Sequence, residues 1–152
     1  MTTRAVVIGS GHYLPERIVP NAEFEQIVET SSEWIVARSG IERRHFAAEG
    51  EMTSDLAAHA ARAALADAGI TANELDALIV ATSTADLTFP SAATMVQAKI
   101  GMMGGFAFDV QAVCAGFIFA MAQANALILS GQAKRVMVIG AETFSRLMDW
   151  TD

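Results

Sequence analysis

The sequence predicts an α/β fold in which a parallel or mostly parallel sheet is covered by helices, and three observations indicate this class. Short apolar segments typical of strands alternate along the chain with segments typical of helices. The strand segments are apolar throughout, as strands buried on both faces are. The length of 152 residues falls within the range of about 100–200 residues expected for one folding unit.

Four strands are predicted from short apolar runs bounded by turn signals. The first run, Ala-Val-Val-Ile, enters Gly9-Ser10-Gly11, and we expect a buried strand followed by a glycine-rich turn. The other three runs are similarly apolar, which indicates burial on both faces. The predicted strands cover residues 5–8, 78–81, 106–110 and 135–139.

Four helices are predicted between and around these strands. The first three begin near a side chain that can accept hydrogen bonds from the free N–H groups of a first turn: Asn21, then Thr53 or Ser54, then Ser91. Glycine follows the second and third helices, where a left-handed residue commonly ends a helix. The predicted helices cover residues 22–29, 55–68, 92–100 and 114–129.

Charged residues are scarce in the later part of the chain. Between Leu87 and Ala133 only Lys99 and Asp109 are charged. The helix predicted over residues 114–129 is therefore hydrophobic nearly all round and should be buried on every side. Such burial requires a second layer of structure, so we interpret the chain as one half of a larger α/β body.

This apolar region does not indicate a membrane protein. Residues 110–133 carry no charge and exceed the length of about 20 residues that a spanning helix needs. They also contain the polar side chains Gln111, Gln123, Asn125, Ser130 and Gln132. No Trp or Tyr lies close to either end as an interfacial anchor, so we expect no membrane association.

Composition excludes several other classes of protein. Hydrophobic residues make up 53% of the chain, which excludes intrinsic disorder because a disordered chain lacks the apolar surface that offsets its ordering entropy. The net charge of −7 argues against a nucleic-acid partner. One cysteine cannot form a disulfide within its own chain, and an unpaired cysteine is typical of a reducing compartment. We therefore expect a cytoplasmic protein.

Neither a nucleotide cofactor nor a metal is indicated by the motifs. Gly9-Ser10-Gly11 does not extend to the dinucleotide pattern, because Leu14 stands where the third glycine would fall and Pro15 obstructs an immediate helix. No phosphate-binding Walker sequence is present. Three dispersed histidines and one cysteine do not provide the ligand spacing of a zinc site.

Cys114 is the residue best suited to chemistry. It follows the strand predicted over residues 106–110 and begins the predicted long helix. A thiol there meets the partial positive charge and free N–H groups of a helix N-terminus, which favour a thiolate and can also receive a developing oxyanion. Gly116 allows a backbone or ligand to approach closely. A buried core cysteine explains the position equally well from the residues alone.

Four segments of the chain occur in the order and spacing of a known enzyme family. They are residues 9–15 (GSGHYLP), 30–44 (TSSEWIVARSGIERR), 89–93 (FPSAA) and 108–117 (FDVQAVCAGF). Together they resemble β-ketoacyl-acyl-carrier-protein synthase III, a condensing enzyme of the thiolase superfamily. The resemblance implies a thiolase-like fold, with two sheets in layered αβαβα order, of which residues 1–152 form the N-terminal half-domain.

The resemblance also implies roles for four residues. Cys114 is expected to be the nucleophile that accepts an acyl group. Trp34 and Arg38 are expected to contact the nucleotide end of coenzyme A, because an indole stacks on adenine and a guanidinium neutralises phosphate. Phe89 is expected to help line the acyl pocket at a dimer interface. From the residues alone, a partly buried aromatic is the simpler interpretation of Trp34 and a solvated charge that of Arg38, whereas a core position explains Phe89 equally well.

The activity that the resemblance implies is acyl transfer followed by condensation. A short acyl group passes from acyl-CoA to the cysteine, and malonyl-acyl carrier protein then loses carbon dioxide and attacks it. The product initiates fatty-acid synthesis. No metal or redox cofactor is needed, because the coenzyme A thioester enters as a substrate, and the intact enzyme is expected to be a homodimer.

The catalytic His and Asn of the family belong to its second half, and none of His12, His45 or His59 matches that histidine. These three are expected to be structural or exposed, and residues 1–152 are not expected to condense substrates alone. Two alternatives remain open. One is a related synthase with a different acyl primer or acceptor in secondary metabolism, and the other is a non-catalytic half-subunit that needs a partner chain.

Overall fold

The structure, a computed structural model, describes residues 4–150 and divides into two compact units. The sheet unit comprises residues 4–13 and Met52–Glu142. The hairpin unit comprises Leu14–Glu51 and residues 143–150.

The sheet unit is built on three parallel strands, as the apolar runs predict. They are β3 (Ala77–Ala81), β4 (Phe106–Val110) and β5 (Val136–Gly140), with β3 in the centre. Ala81 pairs with both Val110 and Gly140, so the three strands end together. Segments that leave these strands therefore start at one common edge of the sheet.

Helices cover both faces of this sheet. Helices α3 (Thr53–Ala68) and α4 (Ala92–Ile100) pack with Leu78 and Val80 of β3 in one core. Helix α5 (Gly116–Leu129) packs on Ile79 and Ala81 from the opposite face. Successive side chains of a strand point to opposite faces, so β3 contributes to both cores and its apolar sequence is required. The predicted α/β class is confirmed.

The outer side of α5 is exposed. Ile118 and Phe119 are 66% and 55% exposed, although Ala120 and Ala124 are buried against the sheet. The further layer that the sequence predicts over this helix is not among residues 4–150 and stays a prediction. Within these residues no helix has both the length and the apolarity to cross a bilayer.

The strand predicted over residues 5–8 is wrong. This segment forms no ladder with any described residue, and Val6 and Val7 are 75% and 73% exposed. An apolar run becomes a strand only when a neighbouring strand satisfies its backbone groups, and sequence pattern does not reveal whether one is available. The following glycines pack on α3 instead. A Cβ at Gly11 would lie 2.3 Å from the backbone nitrogen of Ala64, which excludes any side chain there.

The hairpin unit contains an antiparallel pair that the sequence pattern did not indicate. Strand β1 (Arg17–Pro20) pairs with β2 (Arg43–Phe46), with Arg17 opposite Phe46. Both strands have only four residues. Strand β1 has a single apolar pair between Arg17 and Pro20, and β2 begins with two arginines, so neither has the apolar run used to find strands. Helix α2 (Ser32–Ser39) begins at the cap residue Ser31. Phe24, Phe46 and Trp150 pack together, with ring centroids 5.6–6.1 Å apart.

The helix predicted over residues 22–29 is much shorter than expected. Helix α1 covers only Asn21–Phe24, and its cap position is Pro20, which has no side-chain acceptor. Asn21 does not cap the helix, because its amide donates to the Ile41 carbonyl at 2.9 Å. The helix stops at Phe24 because the backbone continues in turns, in which the N–H groups of Ile27 and Val28 both donate to the Phe24 carbonyl, at 3.0 and 2.9 Å.

Candidate active site

Cys114 lies in a single 3₁₀ turn, Val113–Ala115, between the end of β4 and the start of α5. The predicted helix therefore begins two residues later than expected. Val113 has a φ of 48°, a left-handed conformation that β-branched residues rarely adopt. Holding it costs on the order of 1–3 kcal/mol, which the packing on both sides of the turn must offset. Cys114 is exposed, so it is not a buried core cysteine of the sheet unit.

The turn is held against the central strand by close backbone approach. Gly116 is buried, and a Cβ added to it would lie 3.2 Å from the Cβ of Ala81. Backbone bonds extend the sheet just beyond the strand ends: Thr82 donates to the Val110 carbonyl, and Ala141 donates to the Ala81 carbonyl, each at 3.2 Å. The cysteine turn therefore starts at the carboxyl edge of the sheet.

Glu142 organises polar groups at this same edge. Its carboxylate accepts from the backbone N–H of Ser83 at 2.8 Å, and from the hydroxyls of Thr82 and Thr84. It follows β5 by two residues, so it joins the end of β5 to the segment that leaves β3. Sequence reasoning did not single out Glu142. The available signal was an acidic side chain two residues after an apolar strand, at the edge where three strands end.

Phe89 lies on the segment that leaves β3 and leads to α4. Its side chain is 87% exposed, so it is not a core residue of the sheet unit. Phe89 and Cys114 are thus carried by segments that leave neighbouring strands at one edge of the sheet. Ser91 caps α4 two residues beyond Phe89, and its hydroxyl accepts from the Thr94 N–H at 3.2 Å.

Trp34 and Arg38 are brought together on α2 of the hairpin unit. They are four residues apart on the helix, and the Arg38 guanidinium carbon lies 4.7 Å from the centroid of the Trp34 ring. The Trp34 side chain is 56% exposed, and the backbone N–H of Trp34 donates to the cap hydroxyl of Ser31 at 3.1 Å. The pair presents an aromatic ring next to a cation.

An open depression of about 610 Å³ lies between β4, the cysteine turn and α5. It is lined by Phe108, Val110, Gln111, Ala112, Phe119, Ala122 and Gln123. None of the four residues with an expected role lines it. The depression therefore adjoins the Cys114 turn without including the thiol.

The three histidines have surroundings of their own within each unit. His45 places Nδ1 2.6 Å from the Pro15 carbonyl oxygen, and His59 stacks on Tyr13 with ring centroids 4.6 Å apart. His12 is exposed. This agrees with the expectation that all three are structural or exposed. Within the described part of the chain, none forms a hydrogen bond with Cys114.

Comparisons with known proteins identify similar chains of one family. The family model described as 3-oxoacyl-[acyl-carrier-protein] synthase III matches residues 108–152, which include the cysteine turn. A β-ketoacyl-[acyl-carrier-protein] synthase III of Cereibacter sphaeroides is 77% identical over 152 residues, covering 100% of this chain and 47% of the relative. The chain thus spans about half the length of the curated relatives it matches.

Two solved structures have the same fold. A 3-oxoacyl-[acyl-carrier-protein] synthase III from Aquifex aeolicus superposes with a TM-score of 0.92 at 47% identity, covering 95% of this chain and 47% of its own. A priming β-ketosynthase of a polyketide biosynthetic pathway superposes with a TM-score of 0.92 at 31% identity, covering 100% of this chain and 46% of its own. From the matching segments and the whole-length identity, the chain belongs to the β-ketoacyl-[acyl-carrier-protein] synthase III family and corresponds to about the first half of its members.

Proposed function

We propose that the protein is a condensing acyltransferase that loads a short acyl group from acyl-CoA onto Cys114 and condenses it with malonyl-acyl carrier protein. The observation that carries this proposal is the exposed thiol of Cys114 on a strained turn at the carboxyl edge of the sheet, inside the segment that matches the family model. Ligands of α/β sheets bind preferentially at this edge. The product is a β-ketoacyl thioester that initiates fatty-acid synthesis.

The first stage is nucleophilic catalysis by the thiol. The thiolate sulfur of Cys114 attacks the carbonyl carbon of the acyl thioester, and the bond from that carbon to the coenzyme A sulfur then breaks. Coenzyme A leaves as a thiolate that takes up a proton. Backbone N–H groups at the start of a helix stabilise the negative oxygen of a tetrahedral intermediate, and Cys114 stands two residues before the first residue of α5.

The second stage forms the carbon–carbon bond. The malonyl group loses carbon dioxide, and the electron pair of the broken bond becomes a thioester enolate. Its carbon attacks the acyl carbonyl, and the sulfur of Cys114 leaves. We assign stabilisation of the enolate to the His and Asn that the resemblance implies outside residues 1–152.

We assign Trp34 and Arg38 to the nucleotide end of coenzyme A. Trp34 offers an exposed ring on which adenine can stack, and Arg38 holds a positive charge one helical turn away. We assign Phe89 to the acyl pocket at the interface of a homodimer. Its side chain is 87% exposed and can therefore contact a second subunit. The lone cysteine suits a reducing compartment, and we propose a cytoplasmic location.

A related synthase with another primer or acceptor is the second candidate. The observation in its favour is the TM-score of 0.92 to a priming β-ketosynthase of a polyketide pathway, which equals the score to the Aquifex aeolicus enzyme. Identity separates the two, because the chain is 31% identical to the polyketide enzyme and 77% identical to the Cereibacter sphaeroides relative. We therefore favour the fatty-acid reaction.

Intact mass spectrometry of the full-length protein tests the proposal. The protein is incubated with acetyl-CoA, and peptide mapping locates any added mass. One acetyl group on Cys114, followed by its loss when malonyl-acyl carrier protein is added, is the expected result. Acyl transfer to a carrier other than acyl carrier protein indicates the second candidate, and a protein that never gains mass contradicts both.

A further inference from the structure

The segment that carries Phe89 is anchored by one carboxylate on each side. Asp86 lies three residues before Phe89, and Asp109 binds the backbone of Ala92 and Ala93, three and four residues after it. Residues 87–90 between these anchors are all exposed. Packing within the sheet unit therefore does not hold the Phe89 side chain, and its position depends on the backbone path that the two anchors define.

Asp86 fixes the first side of the segment to α3. Its carboxylate accepts from the backbone N–H of Ser54 at 2.9 Å, and also from the Ser54 hydroxyl. Ser54 is fully buried in the first turn of α3, and its hydroxyl also accepts from the Lys99 ammonium group at 2.6 Å. Asp86 therefore binds both a buried hydroxyl and a backbone N–H at the N-terminus of α3, and both groups belong to the packed core.

Asp109 fixes the second side of the segment to β4. Its Oδ2 accepts from the Ala92 N–H at 2.8 Å, and its Oδ1 accepts from the Ala93 N–H at 2.7 Å. These N–H groups belong to the first turn of α4 and have no acceptor within the helix. Asp109 stands on the strand that leads into the Cys114 turn, five residues before the thiol. The Asp109 carboxylate therefore connects the Phe89 segment to β4, the strand that leads into the Cys114 turn.

We propose that Asp86 and Asp109 are positioning residues that set the place of Phe89 and thereby the length of acyl chain that the site accepts. The inference rests on the proposed function, in which Phe89 lines the acyl pocket. Neither carboxylate touches the substrate. A ring held at a fixed place excludes longer chains, and loosening either anchor lets the ring move and admits them.

The chain offers a matched control for Asp109. Asp76 also accepts two backbone N–H groups, from Lys134 at 2.7 Å and from Arg135 at 2.9 Å. It directly precedes β3, so it lies at the opposite edge of the sheet from Phe89 and Cys114. Asp109→Ala and Asp76→Ala therefore each remove a carboxylate with the same number of backbone partners, but only Asp109→Ala releases the Phe89 segment.

The experiment compares the acylation rate constants of Cys114 with acetyl-CoA and hexanoyl-CoA in the full-length protein. We expect Asp109→Ala to lower the ratio of the acetyl-CoA rate constant to the hexanoyl-CoA rate constant by about five- to tenfold. Selectivity of this size is typical of a change in the wall of an apolar pocket. Asp109→Asn keeps one acceptor and should give a smaller change in the same direction, as should Asp86→Asn. Alkylation of Cys114 by iodoacetamide, a small reagent that does not use the pocket, should change by less than about twofold.

Several results would overturn the inference. An unchanged or higher ratio in Asp109→Asn and Asp86→Asn contradicts it, even where Asp109→Ala fails to fold. An equal change of ratio in Asp76→Ala shows a general loss of stability rather than positioning. A wild-type protein that iodoacetamide alkylates but neither acyl-CoA acylates overturns the proposed function, and the inference with it. That last outcome is recognised without any variant.

Discussion

Gly116 lies so close to Ala81 that a Cβ added to Gly116 would come within 3.2 Å of the Ala81 Cβ. Ala81 ends the central strand β3 and is itself buried, so it cannot move aside easily. The first turn of α5, and with it the turn that carries Cys114, therefore takes its position from this contact.

For Gly116→Ala we expect the start of α5 to shift outwards and acylation of Cys114 to slow by about tenfold, because small displacements of a reacting group carry large rate penalties. Alanine's better helix propensity offsets part of the lost stability. Acylation rates and thermal melting check this. Gly104→Ala is the control, since nothing lies within 4 Å of a Cβ there, and an equal rate loss in both variants would contradict the prediction.

For Cys114→Ser we expect acylation and condensation to disappear while the fold is kept. The hydroxyl is a far weaker nucleophile than a thiolate without an adjacent base, whereas the exchange of sulfur for oxygen at an exposed position leaves packing unchanged. Intact mass after incubation with acetyl-CoA and the melting temperature are the two measurements. Condensation at the wild-type rate in this variant would remove Cys114 from the mechanism.

For Trp34→Ala and Arg38→Met we expect KM for acetyl-CoA to rise about tenfold with little change in kcat, because both side chains are assigned to a part of the substrate that does not react. Acetyl-pantetheine, which lacks the nucleotide, should be used equally well by the variants and the wild type. Steady-state kinetics with both substrates measures this.

Arg17→Met is the control for Arg38→Met. Arg17 also lies over an aromatic ring of the hairpin unit, with its guanidinium carbon 5.5 Å from the Phe46 centroid, but no substrate contact is assigned to it. A matching rise of KM in Arg17→Met, or a loss of acetyl-pantetheine turnover in the Trp34 variant, would indicate a structural role for the α2 pair.

For Asp76 we expect a contribution to stability that disappears in acid. The backbone N–H groups of Arg135 and then Lys134 hold the pKa of Asp76 below its usual value of 3.8. A carboxyl whose pKa is lower in the folded state stabilises that state above its unfolded pKa, and the contribution is lost as pH falls through the folded pKa. The difference in urea midpoint between wild type and Asp76→Asn should be constant near about pH 7 and should shrink below about pH 4. A difference that grows in acid would contradict this sign.

Local sequence accounts for most elements of the sheet unit. Strand β4 and helix α4 have the predicted bounds, and β3 begins one residue earlier than predicted. The sequence predicts these elements because apolar runs, the cap Ser91 and the terminal glycine Gly101 act through neighbouring residues. The segment around Cys114 could be found from sequence for the same reason, because it is a short motif between a strand and a helix.

Contacts between distant residues account for what the pattern missed. Residues 5–8 have the composition of a strand but no strand partner among the described residues, whereas β1 and β2, which lack a long apolar run, pair with each other. Folding brings distant groups together at one edge of the sheet. There the backbone of Val113 is left-handed, and distant N–H groups donate to the carboxylates of Asp86, Asp109 and Glu142. Strand pairing, a strained φ and a hydrogen bond to a remote N–H all depend on residues that are distant in the sequence. A pattern of neighbouring residues therefore does not predict them.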